Sequence, residues 1–307
     1  VTGSSVSDIT SLLIDHNSAN QGAGIYMAGS LVNVENVTIV DNDGHGIYQV
    51  GGDINVSSTI IWDNSSDDYG DIDYAYVNYQ GIPPEGNGNL SKNPWFIDPE
   101  NRDYRLLNGS ICINHGSPDI TNPDGSINDM GLYIHEQTYF GNLWYVANTR
   151  DETIGDGSNS NPFSNIQSGV NMAGNGDDIV VEVGTYSGLG NSNIYFLGKD
   201  LYMESSDSAE NTIIDCEFKP DHRGMVFEPH GSFAGADSST IIAGFTIQNG
   251  MLVDGSGGAG IYISNASPSL TDFIVTNNRI SNENATDAKG GGFFINNSES
   301  IFSNLII

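Results

Sequence analysis

The sequence predicts an all-β protein built as a parallel β-helix solenoid, with one short capping α-helix. Three observations lead to this prediction. An apolar pattern recurs and ends each time at an asparagine, a glycine-rich strand motif recurs beside it, and helical periodicity is confined to one short segment. Internal repeats of 20 to 50 residues are the usual signature of solenoids, so the repeats are considered first.

Four segments align on a recurrent asparagine: SVSDITSLLIDHN, SLVNVENVTIVDN, GDINVSSTIIWDN and ASPSLTDFIVTNN, which end at Asn17, Asn42, Asn64 and Asn278. Three apolar columns follow from the alignment. The columns comprise Ile14, Ile39, Ile61 and Val275 three residues before the asparagine, Leu12, Val37, Thr59 and Phe273 five before it, and Ile9, Val34, Val56 and Leu270 eight before it. The two columns nearest the asparagine are two residues apart, which predicts one inward strand face.

A second strand recurs in each repeat, as GAGIYM from Gly22, GHGIYQ from Gly44, GAGIYI from Gly258 and GGGFFI from Gly290. Each repeat therefore holds at least two short strands separated by turns rich in Gly and Asn. Such repeats predict coils whose equivalent residues stack about 4.8 Å apart. Asparagine suits a stacked column because it tolerates a left-handed backbone and its amides hydrogen-bond along the stack.

We predict four segments along the chain. Residues 1–66 form late coils of a β-helix, 67–140 a loop-rich closing region, 141–176 a junction with the cap helix, and 177–307 early coils. The helix is indicated by Phe163, Ile166, Val170 and Ala173, which fall on one helical face. Asn161 is the predicted N-cap, with Pro162 at the first helical position and Gly174 at the end.

The segment from Trp144 to Gly250, with YVAN, GDGSNSNPFSNIQ, GDDIVVEVGTYS and IIAGFTIQNG, is similar to the opening coils of secreted bacterial right-handed parallel β-helix proteins of the pectate-lyase-like superfamily. The segments STIIWDN, NPWFIDPENRDYRLLNGSICINHGSPD and NDMGLYIHEQ resemble the closing region of the same family. The resemblance covers nearly the whole chain and implies a right-handed solenoid and an extracellular or cell-surface location.

The order of the two regions is inverted relative to that family, because the closing half comes first. Ile307 falls in a core column, and by phase about ten residues would connect it to Val1 and continue the same solenoid. We therefore expect either one period of a tandem array or a protomer that stacks on copies of itself end to end, since uncapped coils present unpaired backbone groups.

The charge balance excludes some partners. The chain carries 39 acidic and 9 basic residues, a formal charge of −30, and its nine cations are scattered. Nucleic-acid phosphates and anionic membrane surfaces require clustered Lys and Arg, so neither is expected as a partner. No apolar run reaches the roughly 18 residues of a membrane helix, so membrane insertion is not expected either.

We predict a non-catalytic extracellular structural protein, a β-helical module of a surface fibre or filament. The alternative is a polysaccharide-binding or polysaccharide-degrading β-helix, a lyase or hydrolase, which the resemblance also implies, because a fold does not fix a function. Asp41, Asp43 and His45 resemble the paired aspartates and Gly-His-Gly of polygalacturonases, and Arg279 lies in an Arg-Ile element like theirs. The repeat alignment places His45 in a variable turn, so we predict no catalytic residue.

Calcium is the one cofactor that the sequence suggests. The loop SPDITNPDGSINDMG crowds oxygen-bearing side chains around a glycine, as hard cations prefer, and the candidate ligands are Asp119, Asn122, Asp124, Asn128 and Asp129. The alternative is a turn in which Asx side chains hydrogen-bond to their own backbone. No bidentate Glu of the EF-hand kind follows the loop.

Two kinds of covalent modification are also predicted. Glycan attachment is expected on turns at Asn-x-Ser/Thr sequons, and the candidates are Asn36, Asn55, Asn64, Asn89, Asn108, Asn265, Asn284 and Asn296. Cys112 and Cys216 are a possible disulfide that would join the two half-solenoids, and two buried free thiols are the alternative.

Overall fold

The computed structural model describes residues 6–148, 155–229, 235–253, 257–281 and 289–307. The chain is mostly β, with parallel sheets and a single α-helix in this described part. It divides into two compact units, residues 1–137 and 138–307. No helix among the described residues has the length and apolar character needed to span a membrane.

The strands of the first unit are β1 (Val6–Thr10), β2 (Leu13–Asp15), β3 (Ile25–Glu35), β4 (Thr38–Val40), β5 (Ile47–Trp62), β6 (Ile72–Tyr79), β7 (Phe96–Asp98) and β8 (Asp103–Leu106). A 3-10 helix spans Pro99–Asn101. The second unit contains β9 (Leu143–Val146), helix α1 (Ile166–Met172), β10 (Asp178–Val181), β11 (Gly184–Tyr186), β12 (Ile194–Tyr195), β13 (Tyr202–Ser205), β14 (Thr212–Asp215), β15 (Met225–Phe227), β16 (Ile241–Gln248), β17 (Met251–Leu252), β18 (Ile261–Ser264), β19 (Ser269–Thr276), β20 (Arg279–Ile280), β21 (Phe293–Asn296) and β22 (Ile301–Ile306).

The first unit is built on one six-stranded parallel sheet, in which β3 and β5 lie at the centre. Its register confirms the predicted columns. Ile9 pairs with Val34 and Val34 with Val56, and in the neighbouring column Ile39 pairs with Ile14 on one side and Ile61 on the other. Because like residues stack on like, the inward side chains of β3, β4 and β5 form one buried core.

The recurrent asparagines form an internal ladder. The Asn42 amide donates to Asn64 Oδ1 at 2.9 Å, and Asn42 Oδ1 accepts from the Asn17 amide at 3.1 Å. The Asn42 amide also donates to the carbonyls of Ile14 and Val40, both at 3.0 Å. These bonds satisfy backbone groups at the corner after each strand, where the hydrogen bonds between neighbouring strands of the sheet end.

A left-handed residue recurs six positions before the asparagine in the aligned repeats. Ser11, Asn36, Ser58 and Asp272 have φ of 53°, 52°, 46° and 59°. The same conformation occurs at Asn304 in β22, with φ of 53°. Each strand therefore has the same bend at the same place, which keeps equivalent backbone segments superimposable from one repeat to the next.

The second unit contains three parallel sheets. The largest contains β9, β10, β11, β13, β14, β16, β19 and β22, the second β12, β15, β18 and β21, and the third β17 and β20. From β15 onward, successive strands belong to the second, first and third sheets in turn. Apolar side chains of the first two sheets, among them Phe245 and Phe273, share one buried core.

Helix α1 is present where the sequence predicts a helix, but the predicted N-cap at Asn161 is wrong. The N-cap is Asn165, whose side chain accepts from Ser168 N at 2.9 Å. The start is displaced because Phe163 pairs with Val146 of β9 and donates to the Tyr145 carbonyl at 2.9 Å, which holds residue 163 in extended backbone. Strand pairing thus overrides the helical spacing of this residue.

Buried Lys199 closes the other end of α1. Its Nζ donates to the carbonyls of Val170, Asn171 and Ala173 at 3.0, 2.8 and 2.9 Å. These are carbonyls that the last turn of a helix leaves without partners. Burial lowers the pKa of Lys199 to about 7, and the three carbonyls accept hydrogen bonds from its amine in the interior.

The segment predicted as loop-rich contacts the parallel strands of the first unit and contains strands of its own. Strand β6 pairs with β5, so the parallel sheet continues past residue 66. Beyond it, Gly131 N donates to the Ser58 carbonyl at 2.8 Å and Leu132 N to Thr38 Oγ1 at 3.0 Å. Arg102 also forms a two-bond ion pair with Asp15, at 2.7 and 2.8 Å.

We expect Asn42→Ala to lower the free energy of unfolding by about 2 to 4 kcal/mol, because it leaves several buried backbone partners without a hydrogen bond. Urea unfolding measures the change. The matched control is Asn55→Ala, which removes a rung of the exposed ladder in which Asn55 donates to Asn33 at 3.0 Å. Equal losses in the two variants would show that the internal ladder adds no special stability.

Candidate functional site

Three tyrosines on the outer surface of the first unit form a column. Tyr26 and Tyr48 pair in register on β3 and β5, and Tyr69 forms a parallel bridge to Tyr48. The rings are stacked, with centroids 5.8 Å apart for the first pair and 4.6 Å for the second. Each tyrosine on a strand follows a buried isoleucine, so strand alternation turns its ring to solvent.

A half-buried carboxylate lies beside this column. Asp68 Oδ1 accepts from Ile47 N at 2.7 Å, and Oδ2 accepts from the Tyr74 hydroxyl at 2.7 Å. The Asp68 N–H in turn donates to the Tyr79 hydroxyl at 3.0 Å. Burial raises the pKa of Asp68 to about 6, although the hydrogen bonds from Tyr74 and Ile47 act in the opposite direction. Burial also raises the pKa of Tyr79 to about 12.

The column and the carboxylate line two adjoining grooves that share Asp68 and Gly70. The groove along the tyrosine column has a volume of about 920 Å³, and Gln21 and Gln49 also line it. The second groove has a volume of about 870 Å³ and is lined by acidic, aromatic and turn residues: Asp67, Asp68, Gly70, Ile72, Asp73, Tyr74, Tyr79, Gly81, Ile82, Pro84, Glu85 and Gly86. We call the two together the tyrosine–aspartate groove.

The chemistry of this groove favours neutral or cationic polar ligands. Phenol rings provide apolar surface with a polar tip, and the glutamine amides and carboxylates provide hydrogen-bonding groups. Four carboxyl groups in the second groove repel anions such as uronate chains. Both oxygens of Asp68 already accept hydrogen bonds from the protein.

The residues that resemble polygalacturonase elements have structural partners. Asp41 accepts from the Tyr104 hydroxyl at 2.5 Å, and Asp43 accepts from the hydroxyls of Ser18 and Ser65 at 3.0 and 3.2 Å. His45 contacts the Asp67 carbonyl through Nδ1 at 2.5 Å. Arg279 belongs to the second unit, where its guanidinium lies 4.4 Å from the centre of the Phe218 ring.

Two carboxylates of the loop proposed from sequence to bind calcium accept hydrogen bonds from backbone N–H groups. Asp129 is buried and accepts from Asn114 N at 2.8 Å and His135 N at 2.7 Å, and burial raises its pKa to about 6. Asp124 accepts from Ser126 N at 3.0 Å and Gln137 N at 2.9 Å. The bond from Ser126 is that of an Asx turn, the alternative to a cation site, and the other three come from backbone outside the loop.

The other candidate ligands do not complete a cation site. Asn128 exchanges hydrogen bonds with Asn36 at 3.1 and 3.3 Å, and Asp119 is exposed. Asn122 Oδ1 is buried without a partner and is the loop's one free oxygen of that kind. No group of three or more His, Cys, Asp or Glu side chains suited to a metal occurs in the described part of the chain. The loop residues therefore do not fit a calcium ion, and calcium stays a prediction of the sequence alone.

The structure separates the glycosylation candidates by exposure. Asn55, Asn265 and Asn296 are exposed. Four candidates are buried or half-buried: Asn36, Asn64, Asn89 and Asn108. The amide of Asn89 donates to three backbone carbonyls, and that of Asn64 to the Ile39 carbonyl at 3.0 Å. Asn284 lies outside the described residues. A glycan needs an asparagine side chain on the surface, so the three exposed sites are the more suitable acceptors.

Cys112 and Cys216 are free thiols, so the possible disulfide between them is not formed in the structure. Each thiol is buried within its own unit. Asn78 donates to Cys112 Sγ at 3.2 Å, and Cys216 belongs to the apolar core of the second unit. Burial raises the pKa of both thiols to about 12, which leaves almost no thiolate to form a bond at neutral pH.

The sequence reasoning did not identify the tyrosine–aspartate groove. One part of the groove could be predicted from the sequence, because the repeated Gly-Ile-Tyr motif places Tyr26 and Tyr48 in one column. Tyr69 and Asp68 belong to an irregular segment, where no repeat fixes their position.

Comparison of the chain with protein-family models, with curated proteins and with solved structures finds no match.

The raised pKa of Asp68 makes a prediction about stability. A carboxyl whose pKa is higher in the folded state stabilises the fold below its unfolded pKa near 3.8, and that contribution is lost as pH rises through about 6. From pH 4 to pH 8, we expect the parent to lose about 2 kcal/mol of unfolding free energy that Asp68→Asn keeps, since one pKa unit is worth about 1.4 kcal/mol.

Urea unfolding at both pH values measures this difference. The control is Asp67→Asn, which removes the same formal charge from an exposed position. This variant should change the pH dependence of the unfolding free energy far less. A pH dependence identical in the parent and in Asp68→Asn would contradict the assignment. The amide is tolerated at this site because Oδ1 keeps its bond to Ile47 N while the new NH₂ donates to the Tyr74 oxygen.

Proposed function

We propose that this chain is a non-catalytic extracellular structural protein, a right-handed parallel β-helix module of a surface fibre or filament that assembles through copies of itself. The parallel sheets, the stacked columns and the fixed order in which the chain visits three sheets all support a solenoid. The proposed location at the cell surface rests on the family resemblance.

One observation carries the proposal. Equivalent residues of successive repeats pair in register on parallel strands in both units, as Val34 does with Val56 in the first unit and Phe245 with Phe273 in the second. Repeats that stack in this way are the basis of quasi-one-dimensional solenoids, which suit an extended structural module.

Assembly is tested by sedimentation velocity and negative-stain microscopy of the chain. We expect concentration-dependent species of two or more chains, with elongated particles, because edge strands of parallel sheets pair with strands of another copy. Monodisperse particles of one chain at all concentrations up to about 100 μM would overturn the proposal. High salt is expected to favour assembly, since a chain of net charge −30 repels its copies at low ionic strength.

The tyrosine–aspartate groove supports a second candidate function, the binding of polysaccharide. Tyr26 and Tyr69, at the ends of the column, are exposed. Asp68 and Tyr74, which are hydrogen-bonded to each other, line the groove beside them. Exposed aromatic rings beside hydrogen-bonding groups suit the apolar face and the hydroxyls of a sugar ring. The acidic lining favours neutral sugars or amino sugars over uronates.

Affinity electrophoresis tests this second function with hydroxyethyl cellulose, chitosan oligosaccharides and polygalacturonate as probes. We expect the first or second probe to retard the chain, polygalacturonate to have no effect, and Tyr69→Ala to weaken the retardation at least fivefold. Tyr262→Ala is the matched control, because Tyr262 stacks on Phe294 with centroids 5.1 Å apart in the other unit. Equal effects of the two variants, or retardation by none of the probes, would remove this candidate.

A further inference from the structure

We infer that the tyrosine–aspartate groove selects sugars that carry a free, protonated amine, and that the Asp68 carboxylate is the group that recognises this amine. The inference rests on the second candidate function, polysaccharide binding, and narrows the ligand to oligosaccharides of amino sugars such as glucosamine. Every residue that carries it belongs to the first unit.

Phenol rings surround the place where the two grooves meet. Tyr48 and Tyr69 line the first groove, and Tyr74 and Tyr79 line the second. Asp68 lines both grooves. The rings of Tyr74 and Tyr79 are arranged edge to face, with centroids 6.1 Å apart. The face of an aromatic ring packs on the apolar face of a sugar and also attracts a cation, because its π-electrons are negative. A neutral sugar gains only the first contact, whereas an amino sugar gains both.

The negative charge of the second groove is not balanced by a bound side-chain cation. Of its four carboxyl groups, those of Asp67, Asp73 and Glu85 are exposed. The ion pairs of the described residues involve other groups. No Lys, Arg or His among these residues lines either groove. A ligand that brings its own cation therefore gains an electrostatic attraction that a neutral sugar does not.

Asp68 suits an ammonium group better than the exposed carboxylates do. Its two oxygens accept from Ile47 N and from the Tyr74 hydroxyl, and each oxygen keeps one further lone pair. These bonds hold the carboxylate in place, so a ligand does not have to order it. Because the side chain is half-buried, water screens its charge less. The Tyr79 oxygen accepts from Asp68 N, so its hydroxyl proton can donate to a hydroxyl group of the same sugar.

Recognition by Asp68 requires the carboxylate and the amine to be charged at the same time. Burial raises the pKa of Asp68 to about 6. Of the titratable groups that face it, Tyr74 and protonated His45 favour the carboxylate, whereas Asp67 disfavours it. Tyr79 stays uncharged, since burial raises its pKa to about 12. We therefore expect binding to weaken as the pH falls through about 6, and again as it rises through the pKa of the sugar amine.

Isothermal titration calorimetry with two matched ligands tests the inference. The hexasaccharides of glucosamine and of N-acetylglucosamine have the same sugar backbone, but only the first carries amines. At about pH 6.5 and low salt, we expect the glucosamine ligand to bind about tenfold more tightly, since a charge-assisted hydrogen bond is stronger than a neutral one. Raising the NaCl concentration should reduce this difference, because salt screens the charges.

Asp68→Asn removes the charge and keeps the shape of the side chain. We expect this variant to bind the two hexasaccharides with similar affinity. The matched control is Asp53→Asn, which removes a charge from an exposed position that lines neither groove and should keep the preference of the parent. A second variant, Asp73→Asn/Glu85→Gln, changes exposed side chains only and does not endanger the fold. We expect it to reduce the preference about threefold, as the loss of exposed charges does.

Equal binding of the two hexasaccharides to the parent, or a preference that Asp68→Asn retains, would overturn the inference and leave polysaccharide binding standing. Binding of neither ligand would contradict both. Spermidine, a cation without a sugar ring, is the last probe, and we expect it to bind more weakly than the glucosamine ligand. Equally tight binding of spermidine would also overturn the inference, because charge alone would then explain the affinity.

Discussion

The structure depends on the in-register stacking of equivalent residues on neighbouring parallel strands. Because the strands are parallel and the bends recur at one position, each side chain lies beside its counterpart from the next repeat. Apolar columns then form a core, asparagines form the internal ladder, and tyrosines form an outer column. One geometric constraint thus produces core packing, turn stabilisation and the surface of the candidate site.

The same constraint makes each repeat depend on its neighbours. Ile39 pairs with Ile14 on one side and Ile61 on the other, and it is 0% exposed. In the second unit, Phe273 lies between Phe245 and Leu305 in the same way and is buried. The burial of a column therefore comes from the successive repeats themselves rather than from a separate covering layer.

The tyrosine–aspartate groove lies where the regular stacking ends. Beyond β5, the segment that carries Asp67, Asp68 and Tyr69 departs from the repeat, and Tyr74 on β6 reaches Asp68. Regular coils present flat sheet surfaces, whereas an irregular segment can enclose a groove beside them. Asp68, whose pKa is raised, lies at this boundary. A turn, unlike a strand face, can bury a single polar group and supply its hydrogen bonds.

The sequence by itself determined the columns, the parallel register and the ladder of Asn17, Asn42 and Asn64, because a repeat of similar residues is local information. It also located a helix near residue 166. Only the tertiary structure decided that Phe163 belongs to a strand pair, that Lys199 closes the helix and that Asp68 is held by Ile47 and Tyr74. Those outcomes depend on burial and on partners distant in the chain, which no periodicity within one segment specifies.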